Sequence, residues 1–175
     1  MTTVFPEGTP TLGNTKLKAV AAIATPTAPS LATEVNGASS VDISCFVYPA
    51  GWNPTGSQGK GTRPLRLCQK SQRDSLNRVS WTAPSLQYVY DPQAADSAPG
   101  NEAKEMLVEG AEVYIVERRG IDSDDDFAAS QQVRVHHLRL GVQIPSGDLT
   151  DENGEFFIMQ ETEYVTDPVD GVIAA

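Results

Sequence analysis

A chain of 175 residues can bury a core without disulfides or metals. Only 39% of its residues are hydrophobic, and twelve prolines and fourteen glycines point to arms and loops with no core of their own. A net charge of −10 disfavours tight binding to nucleic-acid phosphates or anionic lipid over most of the surface. Two cysteines, Cys45 and Cys68, are too few for a zinc-finger set and read as buried free thiols rather than as a disulfide.

Residues 1–16 hold prolines, glycines and threonines without a sustained period and read as an extended arm carrying Phe5. Lys16 and Lys18 precede a short apolar run that ends at Pro26, too brief for a secretory leader. No stretch approaches membrane-spanning length, so the expectation is a soluble chain made in the cytoplasm. Residues 17–24 predict a strand, 25–39 a connector and 41–48 a second strand with Val41, Ile43, Cys45 and Val47 on one face.

Residues 49–77 predict a very long loop, punctuated by Pro49, Gly51, Pro54, Gly56, Gly59, Gly61 and Pro64. Trp52 stands near its start. Lys60, Arg63, Arg66, Lys70, Arg73 and Arg78 make six of the thirteen basic residues, opposed only by Asp74. Residues 78–90 predict a strand kinked at Pro84, where the apolar parity flips. Residues 101–109 predict the one good helix, capped by Asn101, striped by Ala103, Met106 and Leu107, and stopped by Gly110.

Residues 111–119 predict a strand, and 132–144 a longer one with a bulge at His136-His137, where the apolar parity changes. Asn153-Gly154 ends a turn region. Residues 155–165 predict the last long strand, polar on both parities through Gln160, Glu161, Thr162 and Glu163, as if one face lined a water-filled channel. Residues 167–175 read as a C-terminal arm. The fold class is therefore mainly β: a β-sandwich or partly closed barrel over 17–166, with one short flanking α-helix, a long early loop and two arms.

No catalytic constellation survives inspection. Residues 56–62 imitate a phosphate loop, but Gly61 separates Lys60 from Thr62 and Pro64 follows. Asp122, Asp124, Asp125 and Asp126 lack a calcium register, because Phe127 and Val133 stand where glycine and glutamate are needed. Asp148, Asp151, Glu152 and Glu155 form a second acidic patch without one. Adjacent strand histidines point to opposite faces and cannot readily share a metal. No cofactor is expected, and the chain reads as structural rather than enzymatic. A sugar-binding module is disfavoured by the few aromatics, and a cell-surface module by the lack of a recognisable secretory leader.

The order of segments resembles the tail-tube proteins of long non-contractile-tailed bacteriophages. The resemblance is carried by residues 41–46 leading into Gly51-Trp52-Asn53-Pro54-Thr55, by 86–93 before the helix, by 114–122, and by the closing 156–165 strand with Thr166-Asp167-Pro168-Val169. It implies six subunits in a ring, inner sheets joined into one β-barrel, and rings stacked into a tube through which DNA leaves the head. It implies as partners other copies of the chain, a tape-measure protein and genomic DNA in the lumen, and tail-terminator and tail-tip proteins, with no membrane and with residence in the virion. The alternative within phage structure is a tail terminator or head-tail joining ring. On this reading Phe5, Trp52 and the basic residues 60–73 reach neighbours. Asp122, Asp124, Asp125, Asp126, Asp151 and Glu152 receive them, and 160–163 face the lumen.

Overall fold

The computed structural model describes residues 8–150 and 152–175. Among the described residues, eleven strands and one α-helix build a β-sandwich from which a hairpin projects. In chain order these are β1 (Thr15–Val20), β2 (Ser40–Asp42), β3 (Thr55–Thr62), β4 (Asp74–Thr82), β5 (Leu86–Val89), α1 (Glu102–Met106), β6 (Glu112–Arg119), β7 (Gln132–Leu140), β8 (Ile144–Gly147), β9 (Phe156–Gln160), β10 (Thr162–Tyr164) and β11 (Val169–Val172). One sheet runs β10-β7-β6-β1-β2, with β11 also on β7; a second runs β5-β9-β8; β3 and β4 pair only with each other. All ladders are antiparallel.

The larger sheet is covered on both faces. On one, Leu17, Ala19, Val113, Ile115, Leu138 and Leu140 meet Leu86, Tyr88 and Ile158 of the smaller sheet, with Ala103 and Leu107 of the α1 region. On the other, Val20, Val116, Val133 and Val135 meet Ile23, Val35, Phe127 and Ile173. Two cores on opposite faces explain the parity change along β7. Its register with β6 is unbroken from Arg134 to Arg139, so the bulge expected at His136-His137 is absent. What changes is the face that is buried: Val133 and Val135 serve one core, Leu138 and Leu140 the other.

Other expectations are corrected for similar reasons. The strand expected over 41–48 stops at Asp42; Ile43 stays buried, but Cys45 is exposed, and Cys68 is exposed as well, both as free thiols. The presumed single strand 155–165 is two. β9 ends at Gln160 opposite Leu86 in the small sheet, and β10 begins at Thr162 opposite Leu140 in the large one. Pro84 does break the strand expected over 78–90, into β4 and β5.

Asn101 is fully buried and does not cap α1 with its side chain. Instead its amide pins the preceding loop, accepting from Asp91 N at 2.8 Å and donating to the carbonyls of Asp91 and Ala95 at 3.1 and 3.2 Å. The expected C-terminal arm is part of the sheet: β11 pairs with β7, and Ile173 is 2% exposed. Cutting Ile173 back to alanine should lower subunit stability by about 2–4 kcal/mol in urea unfolding, by lost burial plus a cavity; a free arm would show no change.

Candidate assembly surfaces

The segment expected as a loop is mostly a hairpin. Strand β3 holds three glycines and no large apolar residue, so nothing in it signals a strand. Two of those glycines make room for cross-strand side chains. A Cβ on Gly56 would lie 2.4 Å from the Trp81 ring, and one on Gly61 would lie 2.7 Å from the Asn77 amide. The register slips between Gln58 and Lys60, and Ser57 and Ser80 share a hydrogen bond at 3.0 Å. Residues 63–73 form the tip, closed by Arg63 N donating to Arg73 O at 3.2 Å.

The hairpin is nearly all exposed. Lys60, Arg63, Arg66, Lys70, Arg73 and Arg78 make no ion pair among the described residues. Leu65 and Leu67 stand exposed between them, with Leu76 and Val79 further down. Residues 55–82 hold six of the thirteen basic and one of the 23 acidic residues, leaving +5 on the hairpin and −15 on the rest.

The root is anchored by a buried network. Trp52 is half-buried: its Nε1 donates to Glu117 Oε1 at 2.9 Å, and its ring meets His136 edge-on at 5.0 Å. Glu117 is 2% exposed and also accepts from Arg119 Nε at 2.7 Å. His136 Nε2 lies 3.2 Å from Glu117 Oε2, and its Nδ1 lies 2.9 Å from the Tyr164 hydroxyl. A neutral imidazole with its proton on Nε2 satisfies both partners. Higher on the hairpin, the Arg134 guanidinium sits 5.9 Å from the Trp81 ring while paired with Asp170. Trp52 therefore positions the hairpin instead of presenting a free face. His137, on the other side of β7, stacks on Tyr114 at 4.1 Å.

The two acidic patches differ. Around Asp122–Asp126 the backbone carbonyls of Asp122, Asp125 and Asp126 accept from the buried Arg118 guanidinium at 2.6–2.9 Å. Lys16 adds a bond to Asp125 O at 3.1 Å and an ion pair with Asp42 at 3.2 Å. This turn wraps the protein's own cations. The second patch borders a cleft of about 450 Å³, with Tyr48, Pro49, Ala50 and Phe157 forming its apolar wall and Asp148 and Glu155 at its rim. The Tyr48 hydroxyl donates to Glu155; burial and that carboxylate push the phenol up to about 12. Glu152 is exposed. Phe5 and Asp151 lie outside the described residues.

Of the residues expected to line a lumen, Gln160 is fully buried. It donates to Leu107 O at 3.1 Å and Gly141 O at 2.9 Å and accepts from the Tyr88 hydroxyl at 3.1 Å. It plugs the crossing between the sheets, so it faces no channel. Glu161 and Glu163 are exposed, bonded to Ser85 and Arg139 respectively, and Thr162 donates to Pro84 O. Glu117, His136 and Arg118 were not anticipated as organising residues. Their signal was three ionisable groups lying within otherwise apolar strands.

A sandwich that carries a cationic hairpin beyond its own core, over an anionic body, has the form of a subunit built to contact other chains. Residues 2–175 match the family model described as phage tail tube protein, so the chain belongs to that family and is a structural component of a phage tail tube. A comparison with curated proteins gave no match.

Burial raises the Glu117 carboxyl, but hydrogen bonds from His136, Arg119 and Trp52 outweigh it and hold the group at about 2. Its folded value lies below the ordinary 4.5, so its stabilisation is complete above about pH 5 and is lost as pH falls toward 2. Glu117→Gln should be less stable than the parent by on the order of 2–3 kcal/mol at neutral pH. In urea unfolding at stepped pH, that gap should narrow steadily as pH falls from about 5 toward 2; a constant gap would exclude the charge as its source.

Proposed function

We propose that this subunit closes into hexameric rings and that the rings stack, hairpin to body, into the hollow tube through which the genome passes. Family membership supports the ring and the conduit. The observation that carries the stacking is the segregation of charge: +5 on a projecting hairpin and −15 on the body. Unlike patches on one molecule make head-to-tail contacts, which propagate instead of closing in pairs.

The edges of the large sheet at β2 and β10 can pair with neighbouring subunits and remove the edge hazard of an isolated sheet, whereas the outer edge of β11 is covered within the subunit, where Val172 N donates to Thr27 O at 3.0 Å. An anionic body suits a wall past which DNA slides without sticking. Tape-measure protein within the tube, and terminator and tip proteins at its ends, are the partners this reading implies.

Concentrated purified protein should form long hollow tubes in negative-stain microscopy, fewer at 1 M salt than at 0.1 M because exposed charges are screened. Isolated rings would favour a terminator or joining protein, and lasting monomers would count against both. Thr55 and Thr82 are partners in register, so a two-residue Asn-Gly turn can replace residues 56–81. That variant should melt within a few degrees of the parent, since the hairpin is outside both cores and its removal costs the body mainly the Trp81–Arg134 contact, yet form no tubes. Tubes from it would remove the hairpin from the stacking contact.

A further inference from the structure

We propose that the apolar cleft beside the hairpin root, rimmed by Asp148 and Glu155, receives the leucine-bearing tip of the hairpin from a second copy of the chain. The proposal rests on the stacking reading and specifies its receiving surface.

The tip needs a partner that is apolar in the middle and anionic at the edge. Leu65 and Leu67 are exposed, and Arg63, Arg66, Lys70 and Arg73 surround them without an ion pair among the described residues. The cleft has that pattern: Tyr48, Pro49, Ala50 and Phe157 form its wall, with Asp148 and Glu155 at the rim. Its apolar character continues over the outer face of the small sheet, where Met159 and Ile144 are opposite each other in register and 42% and 55% exposed. The charge environment is one-sided. From Leu140 to the C-terminus there are eight carboxylates and no lysine or arginine.

The other candidate surfaces fit less well. The Asp122–Asp126 turn already surrounds Arg118 and Lys16. A larger cleft of about 520 Å³ at Leu12, Cys45 and Trp52 has Arg119 in its lining, and there Glu117 is already paired with that arginine. A cationic tip would meet a cation.

The contact must join two copies. The hairpin is paired along its length, and eight residues of β3 at ~3.4 Å each carry the tip about 27 Å away from the root. A paired hairpin cannot fold back to place its tip beside Tyr48–Ala50, which immediately precede that root. Tip and cleft therefore stand about one hairpin length apart on every copy. Joining them copy to copy advances the assembly by on the order of 30 Å per step and leaves an unfilled site at each end.

Cys68 on the tip is a native probe. In a Cys45→Ser background, Ala50→Cys or Asp124→Cys places one thiol at the cleft or at the competing turn; both positions are exposed. Diamide oxidation should give a ladder of covalent multimers with Ala50→Cys, none above background with Asp124→Cys, and none once Cys68→Ser is added. Leu65→Asp with Leu67→Asp should reduce the ladder about tenfold or more with circular dichroism and melting unchanged, because both leucines are exposed in the subunit. Tubes without an Ala50→Cys ladder, or with the ladder moved to Asp124→Cys, would overturn the docking and leave the stacking reading intact. An Ala50→Cys ladder without tubes would keep the docking and remove the tube reading.

Discussion

A sheet buried on both faces has no wet side on which to place its charges, and much of this structure follows from that constraint. Strand β6 is the extreme case: from Ile115 to Arg118 every residue is buried. Alternation sends Glu117 to one face and Arg118 to the other, so the two cannot neutralise each other. Each needs partners on its own side. Glu117 gathers donors from Trp52, Arg119 and His136, and Arg118 is wrapped by the carbonyls of a turn rich in aspartate. A buried charge without such partners would cost several kcal/mol, so both surroundings are structural requirements. The acidic turn is in this sense an internal solvation shell, and its aspartates keep the local potential favourable to the cation it encloses.

The same constraint reaches the hairpin. Trp52 is the last large side chain before β3, and its indole is one of the three donors that Glu117 uses. The direction in which the hairpin leaves the body is thereby coupled to the satisfaction of a buried carboxylate. The two prolines near it, Pro49 and Pro54, limit the backbone on either side. A hairpin held only by its own ladder would pivot at the root. One tied to the core holds its tip in a defined place, as the proposed stacking requires.

Much of the fold was legible in the sequence wherever one face of an element was buried. Strands β1, β6 and β7 and the break at Pro84 fell near their expected places because β-branched and apolar residues alternated or a proline interrupted them. The errors have a common physical origin. Periodicity reports which face is buried, not what buries it, so the change of core along β7 looked like a bulge. The change of sheet at Glu161 looked like a strand wet on both sides. The hairpin was invisible because its strands are stabilised by pairing and by side chains lying over glycines, neither of which leaves a hydrophobic pattern. Its charge was legible, and the concentration of basic residues pointed to a contact element even while its backbone was read as a loop. The C-terminal segment looked like an arm because Pro168 and Gly171 obscure a four-residue edge strand.

Charge segregation of this kind ordinarily collapses. An anionic body and a cationic loop on one chain should attract, and a flexible loop of residues 49–77 would settle onto its own subunit and neutralise itself. Here the β3–β4 ladder opposes that outcome. Backbone hydrogen bonds make the segment stiff enough to hold six cations away from the body, at the cost of leaving Leu65 and Leu67 in water. The electrostatic and apolar complementarity that could have been spent within one subunit is left open, which the proposed stacking uses. The glycines that made the segment look like a loop are therefore part of what keeps it ordered: Gly56 and Gly61 let Trp81 and Asn77 lie across the ladder. On the proposed stacking, the stiffness of this surface hairpin, more than the sign of any single residue on it, separates a subunit that polymerises from one that folds onto itself.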